Sequence, residues 1–363
     1  MPQKPNILLV ADAASSHTVK WAQALIDRGL RVHVFSFRPT HLLPSSIVTV
    51  AKHYPTAPGR FKKLRELRYF YTTSELKQCI ASIQPDIVHA HYASSYGMIA
   101  RRAAFHPFYI SVWGSDVFSF PRSGQLTKSI LQKNLNAADH IFSTSHVMSK
   151  ETQQYTNTAI DYTPFGVDTS RFIFSPKTST DTIHLGTMKS LETIYGIDLV
   201  IHAIKWLSSQ SVLPSFHLHI YGDGSKMSEY QALAASMDLN TFITFHGRID
   251  PQLVPAAMQS FDILVNPSRE ESFGVAVVEA MASGAVPVVS NVGGLTEVVD
   301  HDINGIHVPA EDADALGRAL LDLMQHPEKR QRLALAARAK VEREYDWNKM
   351  IDNFIQKYYL SKS

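Results

Sequence analysis

Short apolar runs alternate with stretches of helical periodicity along the first half of the chain. The runs at 6–12 (NILLVAD), 85–91 (PDIVHAH) and 108–114 (FYISVWG) are separated by such stretches, the first being HTVKWAQALIDRGL, which Gly29 closes. Continuous apolar strands separated by helices are typical of a parallel sheet covered on both faces. The first half is therefore predicted to be an α/β domain.

The second half begins the same alternation again. Apolar runs at 182–188 (TIHLGTM), 216–224 (FHLHIYGDG), 261–268 (FDILVNPS) and 285–291 (AVPVVSN) are again separated by helical patterns. The pattern predicts two α/β halves of similar size, joined near 163–176. Ligands of open parallel sheets bind outside the carboxyl ends of the strands, so two such sheets are expected to face each other across a cleft between domains.

Composition is that of a globular protein, with 45% hydrophobic and 19% charged residues. The single cysteine, Cys79, excludes an internal disulfide, no run of eighteen apolar residues occurs, and the start lacks the layout of a secretion signal. We therefore expect a cytoplasmic protein. Residues 1–170 carry 18 Lys and Arg against 10 Asp and Glu, whereas the whole chain is at +2, so the first half is expected to meet an anionic partner unless this is ordinary scatter of surface charge.

The stretch ESFGVAVVE (271–279) is the most informative part of the sequence. Its helix is predicted to begin near Gly274, where free backbone N–H groups can hold a diphosphate. Glu279 lies inside this otherwise apolar helix, where an unpaired carboxylate would be costly. Either Glu279 binds a ligand, such as the vicinal diol of a ribose, or the helix is not buried. Glu271 would then serve the far end of the phosphates, although an acid favoured by the dipole at a helix start would also account for Glu271.

Three further segments of the second half also follow strands. Gly186 and Lys189 precede a helix, an arrangement that favours a phosphate site, the alternative for Lys189 being a solvated surface lysine. Gly222 belongs to a glycine turn that is either a ligand contact or a simple strand-to-helix connection. Arg248 could reach a nucleotide base or remain at the surface.

In the first half, His17, His91 and Asp116 each follow a predicted strand. Asp116 could bind hydroxyls or orient a histidine, but it could also cap a helix. The histidines are expected to be structural or to bind hydroxyls, since no zinc-ligand spacing is present. The pair Asp312 and Asp314 opens a helical pattern and is predicted to cap it rather than to bind a metal.

The segment 52–69 (KHYPTAPGRFKKLRELRY) combines spaced apolar residues with five closely spaced Lys and Arg. A basic amphipathic helix favours an anionic membrane surface, although a solvated helix beside the sheet fits equally well. Nucleic acid is not expected as a partner, because no aromatic stacking residues or recognised module accompany the charges.

The stretch 266–299 (NPSREESFGVAVVEAMASGAVPVVSNVGGLTEVV) resembles the donor-binding signature of the retaining family 4 glycosyltransferases. SSHTVKWAQALIDRG, PDIVHAHYASSYG, WGSDV, PFGVDTSRF and GTMKSLETIYGID extend the resemblance over nearly the whole chain. It implies the GT-B fold, with two Rossmann-like doubly wound parallel-sheet domains facing a cleft. The domains would be an acceptor-binding one at 1–170, completed by a C-terminal helix at 348–363, and a nucleotide-sugar-binding one at 171–347.

The resemblance also implies roles for individual residues. Glu271, Lys189 and Asp116 would be catalytic, and His17, His91 and Trp113 would lie on the acceptor side. The donor-binding set would be Glu279, Ser272, Phe273, Gly274, Val275, Gly186, Arg248 and Gly222.

Three departures from the family pattern stand out. Trp113 replaces a histidine, ADAASSH (11–17) replaces a glycine-rich loop, and Tyr195 replaces a lysine, which leaves Lys189 without its usual basic companion. The first puts a histidine's contact with sugar or acceptor in doubt. The three together are read as marks of a subgroup.

The predicted function is therefore metal-independent transfer of a hexose or related sugar from a UDP- or GDP-linked donor to an acceptor hydroxyl, with retained configuration and without a cofactor. The acceptor is expected to be a glycan, a glycolipid or a small molecule in bacterial surface polysaccharide or glycolipid assembly. The protein could attach to the inner face of the cell membrane through 52–69. The alternatives are a nucleotide-sugar epimerase or hydrolase of the same fold, and a non-catalytic nucleotide-sugar-binding subunit.

Overall fold

The chain folds into two compact units. The structure, a computed structural model, describes residues 4–53, 62–175 and 182–360, with 62–67 as backbone alone. The first unit comprises Met1–Thr163 and Ile351–Ser363, and the second comprises Pro164–Met350. The first unit is thus completed by the last residues of the chain.

The first unit contains a parallel sheet built from the apolar runs of the first half. Its described strands are β1 (Asn6–Val10), β2 (Arg31–Ser36), β3 (Val48–Val50), β4 (Ile87–His91), β5 (Phe108–Val112), β6 (His140–Ser143) and β7 (Ile160–Tyr162). They lie in the order β3-β2-β1-β4-β5-β6-β7. Every residue of β1, β4 and β5 is buried, as expected for strands with helices on both faces.

Helices of the first unit connect these parallel strands. They are α1 (Ser16–Asp27), α2 (Lys62–Ile83), α3 (Ser95–Ala103), α4 (Ser115–Phe118), α5 (Gln125–Leu135) and α6 (His146–Thr152). The predicted end of α1 is confirmed. Gly29 has φ +75° and donates its N–H to the carbonyl of Ile26 at 2.7 Å, so the chain turns back into β2.

The second unit repeats this plan. Its described strands are β8 (Ile183–Met188), β9 (Phe216–Tyr221), β10 (Ile243–Gly247), β11 (Ile263–Asn266), β12 (Val286–Ser290) and β13 (Ile306–Val308), in the parallel order β10-β9-β8-β11-β12-β13. The helices are α7 (Ile197–Ser208), α8 (Met227–Ser236), α9 (Val254–Ser260), α10 (Val275–Ser283), α11 (Leu295–Val298), α12 (Ala313–Gln325), α13 (Pro327–Glu344) and α14 (Trp347–Phe354). Helix α14 begins in the second unit and ends in the first.

Each sheet changes its direction of winding at one place. In the first unit this switch point lies between β1 and β4, and in the second unit it lies between β8 and β11. Ligands of doubly wound sheets bind at the carboxyl ends of the strands beside such a point. Ligand-binding residues are therefore expected in the loops after these four strands.

Most of the predicted membrane-facing segment 52–69 lies outside the described residues. Residues 54–61 and the side chains of 62–67 lie outside the described residues, and α2 begins at Lys62. The membrane partner stays a prediction. In the part of the chain that the structure describes, no helix combines the length and the apolar character needed to cross a membrane.

Candidate active site

Two of the predicted catalytic residues meet at the switch point of the second unit. Lys189 directly follows β8, and Glu271 lies in the loop that follows the neighbouring strand β11. The Lys189 ammonium donates to the Glu271 carboxylate, and each side chain is only 12% exposed. The sheet order thus joins two residues that are 82 positions apart in the sequence.

The ammonium of Lys189 also contacts an aromatic ring. Its Nζ lies 4.9 Å from the centroid of the Tyr195 ring, a distance at which the ring quadrupole attracts a cation. Tyr195 therefore makes a contact of its own at the position where the family pattern has a lysine. It supplies a neutral surface against which the only predicted phosphate-binding cation packs.

A glycine turn after β9 supports the backbone of Lys189. A β-carbon at Gly222, which has φ +133°, would stand 1.8 Å from the carbonyl oxygen of Lys189. The backbone of Lys189 donates to Tyr221 O at 3.1 Å, and that of Leu191 donates to Asp223 O at 3.0 Å. Whether Gly222 also touches a ligand stays a prediction, but close backbone contact alone requires glycine here.

Helix α10 begins immediately after the Glu271 loop, at the predicted position. Gly274 is its N-cap with φ +103°, and no described side chain caps this end. The first N–H groups of a helix have no partner within the helix, so they form an anion site when they face open space. The Phe273 side chain is 2% exposed and packs against Phe165 and Tyr345, which leaves its backbone and the half-buried Ser272 and Val275 beside the helix end.

Glu279 occupies the less buried side of α10. Val277, Val278 and Ala280 are at most 1% exposed, whereas Glu279 is half-buried. The cost of burying a charge in an apolar core therefore does not arise. A partly exposed carboxylate at this position suits the predicted contact with hydroxyls.

Two of the residues predicted to bind the donor have settings that do not require a ligand. Gly186 lies inside β8, where a β-carbon would stand 2.3 Å from the Phe261 ring, so packing alone requires glycine. Arg248 is exposed just after the edge strand β10. Their contacts with a ligand stay predictions.

Arg269 lies beside this site and was not predicted from the sequence. Its guanidinium binds Asp198 at 3.0 and 2.7 Å and Glu311 at 2.5 and 3.0 Å, and it donates to the carbonyl of Thr193 at 2.5 Å. The pKa of Arg269 is raised, chiefly by the hydrogen bonds to Asp198. Arg269 thus fastens the loop of Glu271 to the segment that carries Tyr195.

The acidic partners of Arg269 are far from it in the sequence, so no local pattern predicts these ion pairs. Asp198 is 71 positions and Glu311 is 42 positions from Arg269. The only sequence signal is an arginine within the stretch 266–299, between Ser268 and two glutamates.

The three predicted acceptor-side residues lie together in the first unit. The Trp113 ring is 4.5 Å from the His91 ring and 5.7 Å from the His17 ring. His91 is completely buried, and neither of its ring nitrogens has a hydrogen-bond partner among the described residues. Burial lowers the pKa of His91 to about 3 and that of His17 to about 4, so both rings are neutral at pH 7.

Asp116, the third predicted catalytic residue, is held by backbone groups. It is 1% exposed and accepts hydrogen bonds from the N–H groups of Ala93, Trp113 and Gly114 at 2.8, 3.1 and 2.9 Å. Burial raises its pKa, and these hydrogen bonds oppose the rise. Asp116 therefore joins the loops after β4 and β5, and a direct role in chemistry stays a prediction.

The acidic pair at 312–314 has the predicted structural role. Asp312 is the N-cap of α12 and accepts a hydrogen bond from the N–H of Ala315 at 2.7 Å. Among the residues that the structure describes, no group of three or more His, Cys, Asp and Glu is arranged to hold a metal ion.

Comparison with known proteins gives the family. The sequence pattern of the glycosyl transferases group 1 matches residues 168–340, and that of the glycosyl transferase 4-like proteins matches residues 6–145. The chain belongs to the family 4 glycosyltransferases. The predicted pair of Rossmann-like parallel-sheet domains is also confirmed, because both units are parallel α/β sheets and solved glycosyltransferases share this fold.

Individual relatives are distant but similar over most of their length. The phosphatidyl-myo-inositol mannosyltransferase of Mycolicibacterium smegmatis is 27% identical over 93% of this chain and 88% of its own. Sucrose-phosphate synthase of Thermosynechococcus elongatus superposes with a TM-score of 0.82, at 19% identity, over 98% of both chains. HepE of Anabaena, solved with UDP and glucose, superposes with a TM-score of 0.79, at 18% identity, over 97% of this chain and 98% of its own.

Proposed function

We propose that this glycosyltransferase moves a sugar from a nucleoside diphosphate to an acceptor hydroxyl with retained anomeric configuration. The observation that carries the proposal is the cluster of Lys189, Glu271 and the uncapped start of α10 around the switch point of the second unit. A cation and a helix N-terminus suit a diphosphate, and a carboxylate suits sugar hydroxyls. The UDP and glucose bound to HepE support a donor of this class.

Each group has a distinct task in the proposed reaction. The α10 N-terminus and Lys189 stabilise the negative charge that grows on the leaving diphosphate, without a metal ion. Glu279 holds the ribose hydroxyls, and Glu271 orients the donor sugar.

We propose front-face attack rather than a glycosyl-enzyme intermediate. The bond from the anomeric carbon to the phosphate oxygen breaks, the bond to the acceptor oxygen forms on the same face, and the leaving phosphate oxygen takes the acceptor proton. Glu279 is assigned to the ribose, so the proposal places no pair of carboxylates on either side of the anomeric carbon, as retaining glycosidases require.

The acceptor is proposed to be a lipid-linked or polysaccharide precursor of surface glycan assembly. The M. smegmatis relative is by name a mannosyltransferase of phosphatidyl-myo-inositol, and the basic segment 52–69 suits an anionic lipid surface. His17, His91 and Trp113 remain the proposed acceptor-side residues.

The test is a donor panel followed by product analysis. The purified full chain is incubated with UDP- and GDP-linked sugars, with and without phosphatidylinositol and polyprenyl-linked sugar acceptors, and released nucleoside diphosphate is measured. Proton NMR then gives the anomeric configuration of the product. Acceptor-dependent release with the donor's configuration supports the proposal, and an inverted product refutes the retaining mechanism.

Two other outcomes would favour the alternatives. Release without any acceptor, with free sugar or an epimer as product, indicates a hydrolase or epimerase. Donor binding without turnover over the whole panel indicates a binding subunit.

A further inference from the structure

The ammonium of Lys189 forms an ion pair within the second unit. It pairs with Glu271, both side chains are 12% exposed, and the Tyr195 ring packs on it at 4.9 Å. The same Glu271 oxygen lies 3.5 Å from the hydroxyl of Ser268, which is itself fully buried and donates to Asn266 Oδ1 at 2.6 Å. Lys189 and Glu271 are therefore paired with each other in a largely desolvated setting.

Such a pair resists separation. Removing one partner from a largely buried ion pair leaves the other charge without compensation, at a cost well above that for an exposed pair. A diphosphate that draws Lys189 away from Glu271 must therefore offset this loss. The loss is smaller when the ligand also gives Glu271 new hydrogen-bond donors.

We propose that Glu271 competes with the diphosphate for Lys189 and so makes the site favour a nucleotide sugar over a bare nucleoside diphosphate. A nucleotide sugar supplies hydroxyls to Glu271 at the same time as phosphate to Lys189, so both charges stay compensated. A nucleoside diphosphate supplies phosphate alone and leaves Glu271 unpaired. This inference rests on the proposed function, since it takes Lys189 as the phosphate ligand and Glu271 as the sugar ligand.

The competition between Glu271 and the diphosphate for Lys189 also affects product release. Once the sugar has moved to the acceptor, its hydroxyls no longer engage Glu271, which then recaptures Lys189 and weakens the grip on the nucleoside diphosphate. Tyr195 assists because its uncharged ring keeps the ammonium near Glu271 without adding a second positive charge. A residue placed to orient the donor sugar thereby also promotes product release.

The experiment is a double-mutant cycle read by calorimetric titration with UDP and GDP. Glu271→Gln should bind the preferred nucleoside diphosphate about tenfold more tightly than the wild type, because Lys189 is then released. The same substitution in a Lys189→Met background should change the affinity less than about twofold. Glu270→Gln, which removes an exposed carboxylate from the adjacent position, is the matched control and should not reproduce the gain.

Titration with the matching nucleotide sugars, UDP-glucose and GDP-mannose, completes the cycle. Glu271→Gln should not gain affinity for them, so the preference for nucleotide sugar over nucleoside diphosphate should fall about tenfold. Thermal unfolding of every variant verifies that it is folded.

Different results would overturn either the competition for Lys189 or the proposed function itself. A gain that persists with Lys189→Met shows plain charge repulsion and overturns the competition for Lys189. An unchanged or weakened affinity of Glu271→Gln for nucleoside diphosphate, with the wild type binding normally, also overturns this inference and leaves the proposed function intact. Failure of the wild type to bind any nucleoside diphosphate or nucleotide sugar overturns the proposed function as well.

Discussion

Replacing His91 by phenylalanine should remove one proton-linked contribution to the stability of the first unit. His91 is completely buried and its pKa is lowered to about 3 by burial, against 6.5 for an ordinary histidine. Above pH 6.5 the ring is neutral in both states, so it causes no pH dependence. Between pH 6.5 and about 3 only the unfolded chain binds the proton, so stability falls as the pH falls.

The size of this effect follows from the two pKa values. At pH 5 the unfolded state gains about 1.36 kcal/mol for each pH unit below 6.5, or about 2 kcal/mol in all. The wild type should therefore lose about 2 kcal/mol more free energy of unfolding than His91→Phe between pH 7 and pH 5. The larger phenyl ring can cost stability at every pH, but this cost does not alter the slope.

Urea unfolding followed by tryptophan emission measures the difference. With Trp206→Phe and Trp347→Phe as background, Trp21 and Trp113 report the first unit alone. The comparison of pH 7 with pH 8 is the control, since the His91 contribution is nearly constant over that interval. Equal losses in the wild type and His91→Phe between pH 7 and pH 5 would refute a buried, neutral His91.

Three further substitutions test the second unit. Glu279→Ala should raise the KM for the donor about tenfold or more, with kcat nearly unchanged, because the proposed charged acceptor of ribose hydroxyls is lost. Steady-state kinetics that show a fall in kcat alone would contradict this role. Gly222→Ala should lower the Tm and the donor affinity more than Gly247→Ala. Both glycines have positive φ, but of the two only Gly222 would bring a β-carbon within 4 Å of backbone atoms. Equal effects of the two substitutions would show that close packing is not the reason for glycine at position 222. Arg269→Gln should lower the free energy of unfolding in urea by about 2 to 3 kcal/mol, because the Glu271 loop is no longer joined to the segment that carries Tyr195. The same change should weaken donor binding, and an unchanged donor affinity would contradict the positioning role of Arg269.

Hydrophobic pattern alone was sufficient for much of the fold. Strands such as β1, β4 and β5 are buried on both faces, so their sequences are continuous apolar runs that stand out from the helices between them. The start of α10 was also predictable, because Gly274 separates a strand-end loop from a helical run. The short strands β3 and β7, with three residues each and partly exposed, carry too little of this signal to be found.

The site was only partly predictable, because its geometry depends on contacts between distant residues. Lys189 and Glu271 were each identified from local pattern, but their pairing follows from β8 lying beside β11 in the sheet. The clamp made by Arg269 joins segments far apart in the sequence, and no local pattern marks it. Likewise, nothing in PDIVHAH indicates that both ring nitrogens of His91 would lack partners among the described residues.

Lys189, Glu271 and the start of α10 are proposed to form the catalytic donor site of a glycosyltransferase. The most direct test of this proposal is acceptor-dependent release of nucleoside diphosphate, measured side by side for the wild type, Glu271→Gln and Glu270→Gln. We predict that Glu270→Gln matches the wild type within about twofold and that Glu271→Gln falls about 100-fold or more. Full activity of Glu271→Gln, or an equal loss in both variants, would contradict this account of the site.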